Sequence, residues 1–320
     1  PSVVLAQAPD TSTTRPLGEV IIEETRLELP FSQQNRNIQV LDQAMIRNLP
    51  ARSVNELLSY VSGIDVRQRG PQGVQTDISI DGGTFDQTLV LINGVKLSDP
   101  QTGHNMMNLP VNPDAIERIE ILRGSAARVY GINALTGAIN IVTKKINQTS
   151  MGAHLFSGSS FHEDESNGKT FASYGVRAIG TLKTGAAGHL FSLGREAGSG
   201  YRYNTAYQNN RAFYQGRFMT DGQNEWQGMA GYVDNDSGAN GYYAAPGDKE
   251  SQEIIQTGLA SVSYTGKLTG TWTIRPRLSY RFNEDDSRYI RTDLARFRNQ
   301  HTTHVMTAEL NNTFETVIGM

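Results

Sequence analysis

From Thr271 to Phe282 the chain reads TWTIRPRLSYRF. Trp272, Ile274, Leu278, Tyr280 and Phe282 fall at every second position, broken only by Pro276, and Thr273, Arg275, Arg277, Ser279 and Arg281 fill the gaps. A period of two makes a β-strand with one apolar face and one cationic face. The strand alone leaves two solutions open. In a soluble sandwich the apolar face turns inward to a core. In an outer-membrane barrel it turns outward to lipid, and the arginines line a wet lumen.

The alternation recurs from Met151 onward, in about eight strand-like runs with no helical period. FASYGVRAIGTLKT sets Ala172, Tyr174, Val176, Ala178 and Leu182 against Ser173, Arg177, Thr181 and Lys183. NRAFYQGRFMT sets Tyr214 and Phe218 against Gln215 and Arg217, and NEWQGMAGYVD and TGLASVSYTG continue the pattern. The breaks are of two kinds. Tight turns are predicted at Thr220 to Gln223 and at Tyr264 to Lys267, and long polar loops at His162 to Lys169 and Asp234 to Glu250. Short turns at one end and long loops at the other are what membrane barrels show.

Residues 31 to 145 carry a different pattern, that of an α+β domain. Gln39 to Leu49 is a short helix candidate stopped by Pro50. Ser53-Val-Asn-Glu56 is a capping box opening a second helix, with Val54, Leu57, Leu58 and Val61 as its apolar stripe and Gly63 as its stop. Strands are predicted at Ile64 to Gln68, Asp77 to Asp81, Glu117 to Arg123 and Ala138 to Thr143. TLVLINGVKL is a hairpin turned by Asn93-Gly94. GSAARVYGINALTGA is a glycine-punctuated crossover.

Ahead of this domain, PDTSTTRPLG is polar and reads as flexible. EVIIEETR, Glu19 to Arg26, is a β-branched run with acidic flanks and no turn-paired partner. Alone, it reads as an ordinary first strand, with a docking strand for a partner's sheet edge as the alternative. Val3-Val4-Leu5 followed by Ala6-Gln7-Ala8 has the form of a signal-segment tail and its cleavage site. NNTFETVIGM at the other end stops inside a strand-like run with no turn or cap, so a fragment is expected.

Composition narrows the classes. Net charge is −3, with 29 Lys and Arg against 32 Asp and Glu, which gives no basic surface for nucleic acid. The absence of cysteine removes thiol nucleophiles, thiolate metal sites and disulfides together. No run reaches 18 apolar residues, so no transmembrane helix is expected, which says nothing against barrel strands. His301 and His304 resemble a metal pair only on a helix; on a strand, i and i+3 face opposite sides. Asp234, Asp236 and Asp248 fall in one predicted loop, where calcium is the alternative to a solvated acidic loop. There is no G-x-S-x-G elbow and no phosphate loop. No catalytic residue and no enzyme are expected, and no cofactor apart from that calcium.

Four ordered motifs in the first domain resemble the plug of TonB-dependent outer-membrane receptors: NELLSYVSGIDV (55–66), DISIDGG (77–83), LVLINGVKL (89–97) and RIEILRGSAARVYGINALTGAINIVTKK (118–145). The family usually has Arg where Asp81 stands, and Pro where Ser125 stands. The resemblance implies an α+β plug housed in a transmembrane antiparallel β-barrel of 22 strands. Physics agrees that eight strands are too few, since such a barrel is filled by its own side chains, whereas 22-stranded transporters hold a plugged lumen. Roughly fourteen strands would therefore lie outside this chain. The implied layout is a signal remnant at 1–8, a flexible segment with the TonB box at 9–30, the plug at 31–146 and the first part of the barrel at 147–320.

What the resemblance implies for function is active import across the bacterial outer membrane. Glu19, Val20, Ile21, Ile22, Glu23 and Glu24 stand where the family carries its TonB box, and periplasmic TonB with its inner-membrane energy-coupling proteins becomes the expected partner. The implied ligand contacts at the plug apex are Thr84, Phe85, Asp86, Gln87, Ser98, His104, Asn105 and Met106. The stretches VLINGVKLSD and FYQGRFMTDGQNEWQGMAGYVDNDSGANGYYAAP are similar to the cobalamin-transporter branch, particularly its Bacteroidota versions, in which a surface lipoprotein often caps the barrel. Siderophore, haem or glycan receptors share the same plug, and a surface binding or adhesion protein without transport is the alternative of another class. With the barrel reading, Trp272, Ile274, Leu278, Tyr280 and Phe282 are expected to meet lipid, and Arg275, Arg277 and Arg281 the plug or lumen water.

Overall fold

Continuous apolar runs and alternating ones separate the chain into two bodies. In the computed structural model, residues 37–315 are described, apart from 71–73, 125–126, 128–129, 131–132, 166, 221–223, 241–249 and 296–297. Glu19 to Glu24 and Asp248 lie outside the described residues. The first body comprises β1 (Ile38–Leu41), α1 (Gln43–Asn48), α2 (Val54–Ser59), β2 (Ile64–Gln68), β3 (Thr76–Ile80), β4 (Thr88–Ile92), β5 (Val95–Lys96), β6 (Ile116–Arg123) and β7 (Gly137–Thr143). Its five-stranded sheet has the order β1-β6-β7-β4-β5, and β2 pairs with β3 in a separate ribbon. Among the described residues of this sheet, only β4 and β7 run parallel. Every residue of these two strands is buried. That follows from their unbroken apolar runs, since a strand covered on both faces loses its polar alternation. One face of the sheet packs Val90, Ile92, Ile119, Ile121, Ile139 and Ile141 against Leu57 and Leu58 of α2. The other gathers Leu89, Leu91, Leu122 and Ala138.

Local signals act largely where the sequence places them. Ser53 Oγ accepts from Glu56 N at 3.2 Å. Glu56 closes one residue earlier than a capping box, its Oε2 accepting from Arg52 N at 2.6 Å. Asn93 and Gly94 take φ of 49° and 75°, the left-handed pair a two-residue hairpin requires. The first helix departs from expectation. Residues 38–41 form β1, paired with β6, and the helix begins only after Asp42, whose carboxylate accepts from Met45 N. The β-branched and apolar residues Ile38, Val40 and Leu41 gain more by closing the sheet edge than by extending a short helix. Asp81 receives the Arg123 guanidinium at the sheet's end.

The second body is an antiparallel wall of eight strands in sequential order: β8 (Ser150–Glu163), β9 (Thr170–Thr184), β10 (Ala187–Gly198), β11 (Tyr207–Met219), β12 (Glu225–Gly238), β13 (Gln252–Lys267), β14 (Trp272–Arg288) and β15 (Arg298–Phe314). Strands of 12 to 17 residues exceed the roughly 9–11 tilted residues that span a bilayer. No helix among the described residues is long and apolar enough to cross a membrane. The connections 185–186 and 268–271 lie at one end of the wall, and the longer 164–169, 199–206, 239–251 and 289–297 at the other. Two boundaries shift. Thr265 and Gly266 belong to β13, and the turn falls at 268–271 instead. Asp234 and Asp236 sit on β12 rather than in a loop, because that strand runs on to Gly238 in register with β13.

The wall's two faces have the polarity set by the alternation. Leu278 and Tyr280 point outward and are exposed, while Ser279, Arg281 and Asn283 point inward and are buried. Aromatic pairs sit on the outer face towards the short-turn end, with Trp272 stacked on Phe314 at 5.2 Å and Trp226 against Tyr264 at 4.8 Å. From Trp272 to Phe282 there are about ten steps of roughly 3.3 Å, and strand tilt makes this a band about 25 Å tall. Leu278 lies near its middle. Leu278→Arg is therefore expected to destabilise the lipid-inserted protein by about 2–4 kcal/mol. Ser279→Ala, on the lumen side, is expected to cost under about 1 kcal/mol. Urea unfolding from liposomes measures both, and equal losses would sink the assignment of faces.

Candidate functional site

The inner face of the wall holds the plug through polar side chains on alternate residues. Arg277 Nη1 donates to Gly94 O at 2.8 Å. Gln215 Oε1 accepts from Asn93 Nδ2 at 3.2 Å and from Thr143 Oγ1. Asn108 Nδ2 donates to Thr257 Oγ1 at 2.7 Å, and Thr257 donates onward to Asn283 Oδ1 at 2.5 Å. Asn235 donates to Asn108 in return. Arg177 reaches Asp114 at 3.2 Å and donates to Arg52 O at 2.8 Å. At this seam burial pushes the Lys144 ammonium pKa down, helped by Arg47 and opposed by Asp114 and Glu117. Leu190, Phe213, Met229 and Leu259 of the wall belong to the same apolar cluster as the plug core, with Met107, Leu109 and Val111. Gly231 lets Pro110 approach there: a Cβ at that position would lie 2.6 Å from Pro110 Cγ.

Above this seam, at the long-loop end, plug and wall draw apart around a cavity of about 740 Å³. Its plug side is formed by Gln101, Thr102, His104 and Asn105 of the loop that follows β5, with Arg69 and Gln75 beside the β2–β3 ribbon. Its wall side includes Glu253, Asp285, Tyr289, Asn299 and His301. Asp99 ties the loop from within. Its carboxylate accepts from Gln101 N at 3.4 Å, Thr102 Oγ1 at 3.1 Å and Asn105 N at 3.2 Å. Arg281 ties it from the wall, donating through Nη1 to Ser98 O at 2.9 Å and through Nη2 to Asn105 O at 3.1 Å. His104 is fixed on two sides, by Asp77 Oδ1 at 2.7 Å from Nδ1 and by the Phe85 ring at 4.2 Å between centroids.

The residues singled out in the sequence divide accordingly. His104 and Asn105 line the cavity. Phe85 supports His104, and Thr84, Asp86 and Gln87 form the 3₁₀ turn that holds Phe85, with Thr84 as its cap. Ser98 supplies a carbonyl to Arg281. Met106 is buried in the plug core with Met107 and does not line the cavity. Asp234 and Asp236, placed outward on β12, take amide donors from Gln256 at 3.1 Å and Gln252 at 2.6 Å. Among the described residues no group of three or more His, Cys, Asp or Glu is arranged to hold a metal ion. His301 lines the cavity while His304 lies on the outer face, its Nδ1 2.7 Å from Tyr280 Oη. The wall residues Glu253, Asp285 and Asn299 were not anticipated. Their signal is inward parity at the long-loop ends of β13 to β15, which becomes readable only once strand boundaries are fixed.

The structure is a plug packed against an antiparallel strand wall, with a cavity between them at the long-loop end. Residues 31–138 match the family model described as the TonB-dependent receptor plug domain. The "Vitamin B12 transporter BtuB" of Vibrio vulnificus strain CMCP6 is 27% identical over 265 residues, covering 79% of this chain and 40% of that protein. The protein of the same name from V. vulnificus strain YJ016 is 32% identical over 187 residues, 58% of this chain and 28% of that protein. Among solved structures, the unliganded ferric citrate transporter FecA superposes with a TM-score of 0.69 at 15% identity, covering 79% of this chain and 40% of that one. The siderophore receptor PirA of Acinetobacter baumannii gives 0.63 at 15% identity, covering 86% and 44%. These structures establish the fold alone. The chain spans less than half the length of these relatives and structures. Residues 31–138 therefore form a plug domain of the TonB-dependent receptor kind, and the strand wall beside it shares the fold of part of the transporter and receptor structures named above.

Proposed function

We propose that the receptor to which this chain belongs imports a scarce solute too large for porins, and that the solute is a corrinoid such as cobalamin. The solute binds from outside in the cavity over Ser98 to Asn105. Binding is relayed through the plug, and the segment Glu19 to Glu24 then pairs with periplasmic TonB by strand addition, where backbone hydrogen bonds give affinity with modest sequence demand. Energy enters through TonB and its inner-membrane partners. A surface lipoprotein capping the long loops is a further expected partner.

The observation carrying this reading is the position of the cavity. It lies on the long-loop side, which faces outward in membrane barrels, and its floor is the plug loop that both Asp99 and Arg281 tie down. A site floored by the gate itself links occupancy to opening. The likeness to proteins named vitamin B12 transporters supports the corrinoid over other cargo. The test is titration of the full-length receptor in detergent with cyanocobalamin, a ferric siderophore and haem. Saturable binding of cyanocobalamin is expected, and saturable binding of the siderophore alone would overturn the choice of solute.

A further inference from the structure

Fixed charge is unevenly spread around the 740 Å³ cavity. On the wall, Glu253 of β13, Asp285 and Ser287 of β14 and His301 of β15 line it. The ladder register sets Glu253 opposite Ser287 and Asp285 opposite His301. The two carboxylates are therefore diagonal neighbours on one inner face, within reach of a single solute. Protein covers both side chains, leaving them 4% and 8% exposed, and a carboxylate so placed calls for hydrogen-bond donors around it. Asp285 takes one from Ser287 Oγ at 3.1 Å. Histidines aside, Arg69 is the one cation among the described lining residues. Its Nη2 lies 3.9 Å from Asp77 Oδ2, a carboxylate that also holds His104. Arg281 does not line the cavity and is committed to the carbonyls of Ser98 and Asn105. Gln75, Gln101 and Asn299 add neutral amides.

Sites for anionic solutes are built from clamps of Arg and Lys. The described lining residues supply no second cation to form one. They supply acceptors instead. We propose that Glu253 and Asp285 set the specificity of this site: they accept hydrogen bonds from primary-amide or ammonium N–H groups of the solute, and they repel solutes that turn carboxylates to the wall. The proposal rests on the import reading and makes the charge of the solute its recognition element. A corrinoid suits it, because the rim of its macrocycle carries neutral primary amides, each with two N–H donors. An amide placed here gains bonds to charged acceptors, which are stronger than neutral ones. A carboxylate in the same place finds like charge and no donor, in a cleft whose low-dielectric walls focus the field. Attraction and repulsion then act together, as specificity requires. Ferric citrate and haem, which both present carboxylates, are the solutes disfavoured. The cavity volume falls within the roughly 300–1,000 Å³ of small-molecule sites.

The test uses full-length receptor in detergent near neutral pH, with EDTA present so that no metal bridges the carboxylates. Its probes are cyanocobalamin and the cyanocobalamin monocarboxylic acids, in each of which one propionamide of the rim has become a carboxylate. Cyanocobalamin is expected to bind at least about tenfold tighter than one or more of these acids, or 1.4 kcal/mol. Raising the salt to about 1 M should narrow the gap, since screening acts on charge and not on shape. The double variant Glu253→Gln/Asp285→Asn keeps the shape of both side chains and is expected to close most of the gap. Asp236→Asn, on the outer face of the same wall, should leave it unchanged. Heat-modified mobility on gels confirms that each variant is folded. If every acid binds as tightly as cyanocobalamin, or the gap survives in the double variant, the inference fails and the corrinoid reading stands. If no corrinoid binds but the cationic ferrioxamine B does, in preference to ferric citrate and with that preference lost in the double variant, the inference stands and the corrinoid reading fails. Preferential binding of ferric citrate, or binding of none of these probes, overturns the inference.

Discussion

Replacing Ile21 with proline is expected to reduce energised uptake at least about tenfold, to the level of cells lacking TonB, while the solute still binds at the cell surface. The reasoning is backbone chemistry. In strand addition a peptide contributes N–H and C=O groups along one edge, and these bonds supply the affinity. Proline removes one donor and fixes φ near −65°, away from the more negative values of a paired strand. A segment of six residues has few ladder bonds, so losing one and bending the chain removes a large fraction of the pairing energy. Ile21→Val keeps the donor and the β-branched side chain and is expected to retain uptake within about twofold. Labelled cobalamin accumulation measures the effect, with surface protein quantified in parallel. Normal accumulation by the proline variant at normal surface level would remove this segment from the coupling path.

That prediction rests on sequence alone, and the contrast with the cavity shows what a sequence can carry. Periodicity placed the wall strands and set Leu278 and Arg281 on opposite faces, because alternation acts on every residue locally; which face meets lipid follows only from the resemblance to a plugged barrel. The Asn93-Gly94 turn was equally local, since only left-handed backbone closes such a hairpin. Errors arose where a distant strand decided the outcome. Residues 38–41 are a strand because β6 offers an edge. Thr265 and Gly266 stay in β13, and Asp234 and Asp236 in β12, because their neighbours continue the ladder past the polar residues. The candidate site was legible only as a loop with useful side chains. Which of them face the lumen depends on contacts across long stretches of chain, such as His104 with Asp77 or Asn105 with Arg281. Met106 looked like a soft ligand surface, but its neighbours make it core.

The second large effect is expected at Arg281. Its guanidinium is buried and spans both ends of the cavity-floor loop, accepted by Ser98 O and Asn105 O. A planar fork can bridge two carbonyls in this way; an ammonium acts as a single point charge. Arg281→Met keeps length and apolar bulk but leaves both carbonyls without their charged donor. Hydrogen bonds to charged groups contribute about 1.5–3 kcal/mol each. Burying the guanidinium is itself costly, which offsets part of the gain, and lumen water can solvate the freed carbonyls. A net loss of about 1–3 kcal/mol follows, concentrated on the loop. Asp99 still ties that loop from within, so the plug should remain folded while its apex loses registration with the wall. Solute affinity is expected to fall about tenfold or more, and amide exchange at 98–105 to quicken, with exchange in β4 and β7 unchanged. Arg281→Lys should lie between the two, since it keeps a cation beside Asp99 but cannot hold both ends at once. If Arg281→Met left both affinity and exchange at 98–105 unaltered, the apical loop would be self-supporting, and the wall would have no mechanical hold on the site that the plug carries.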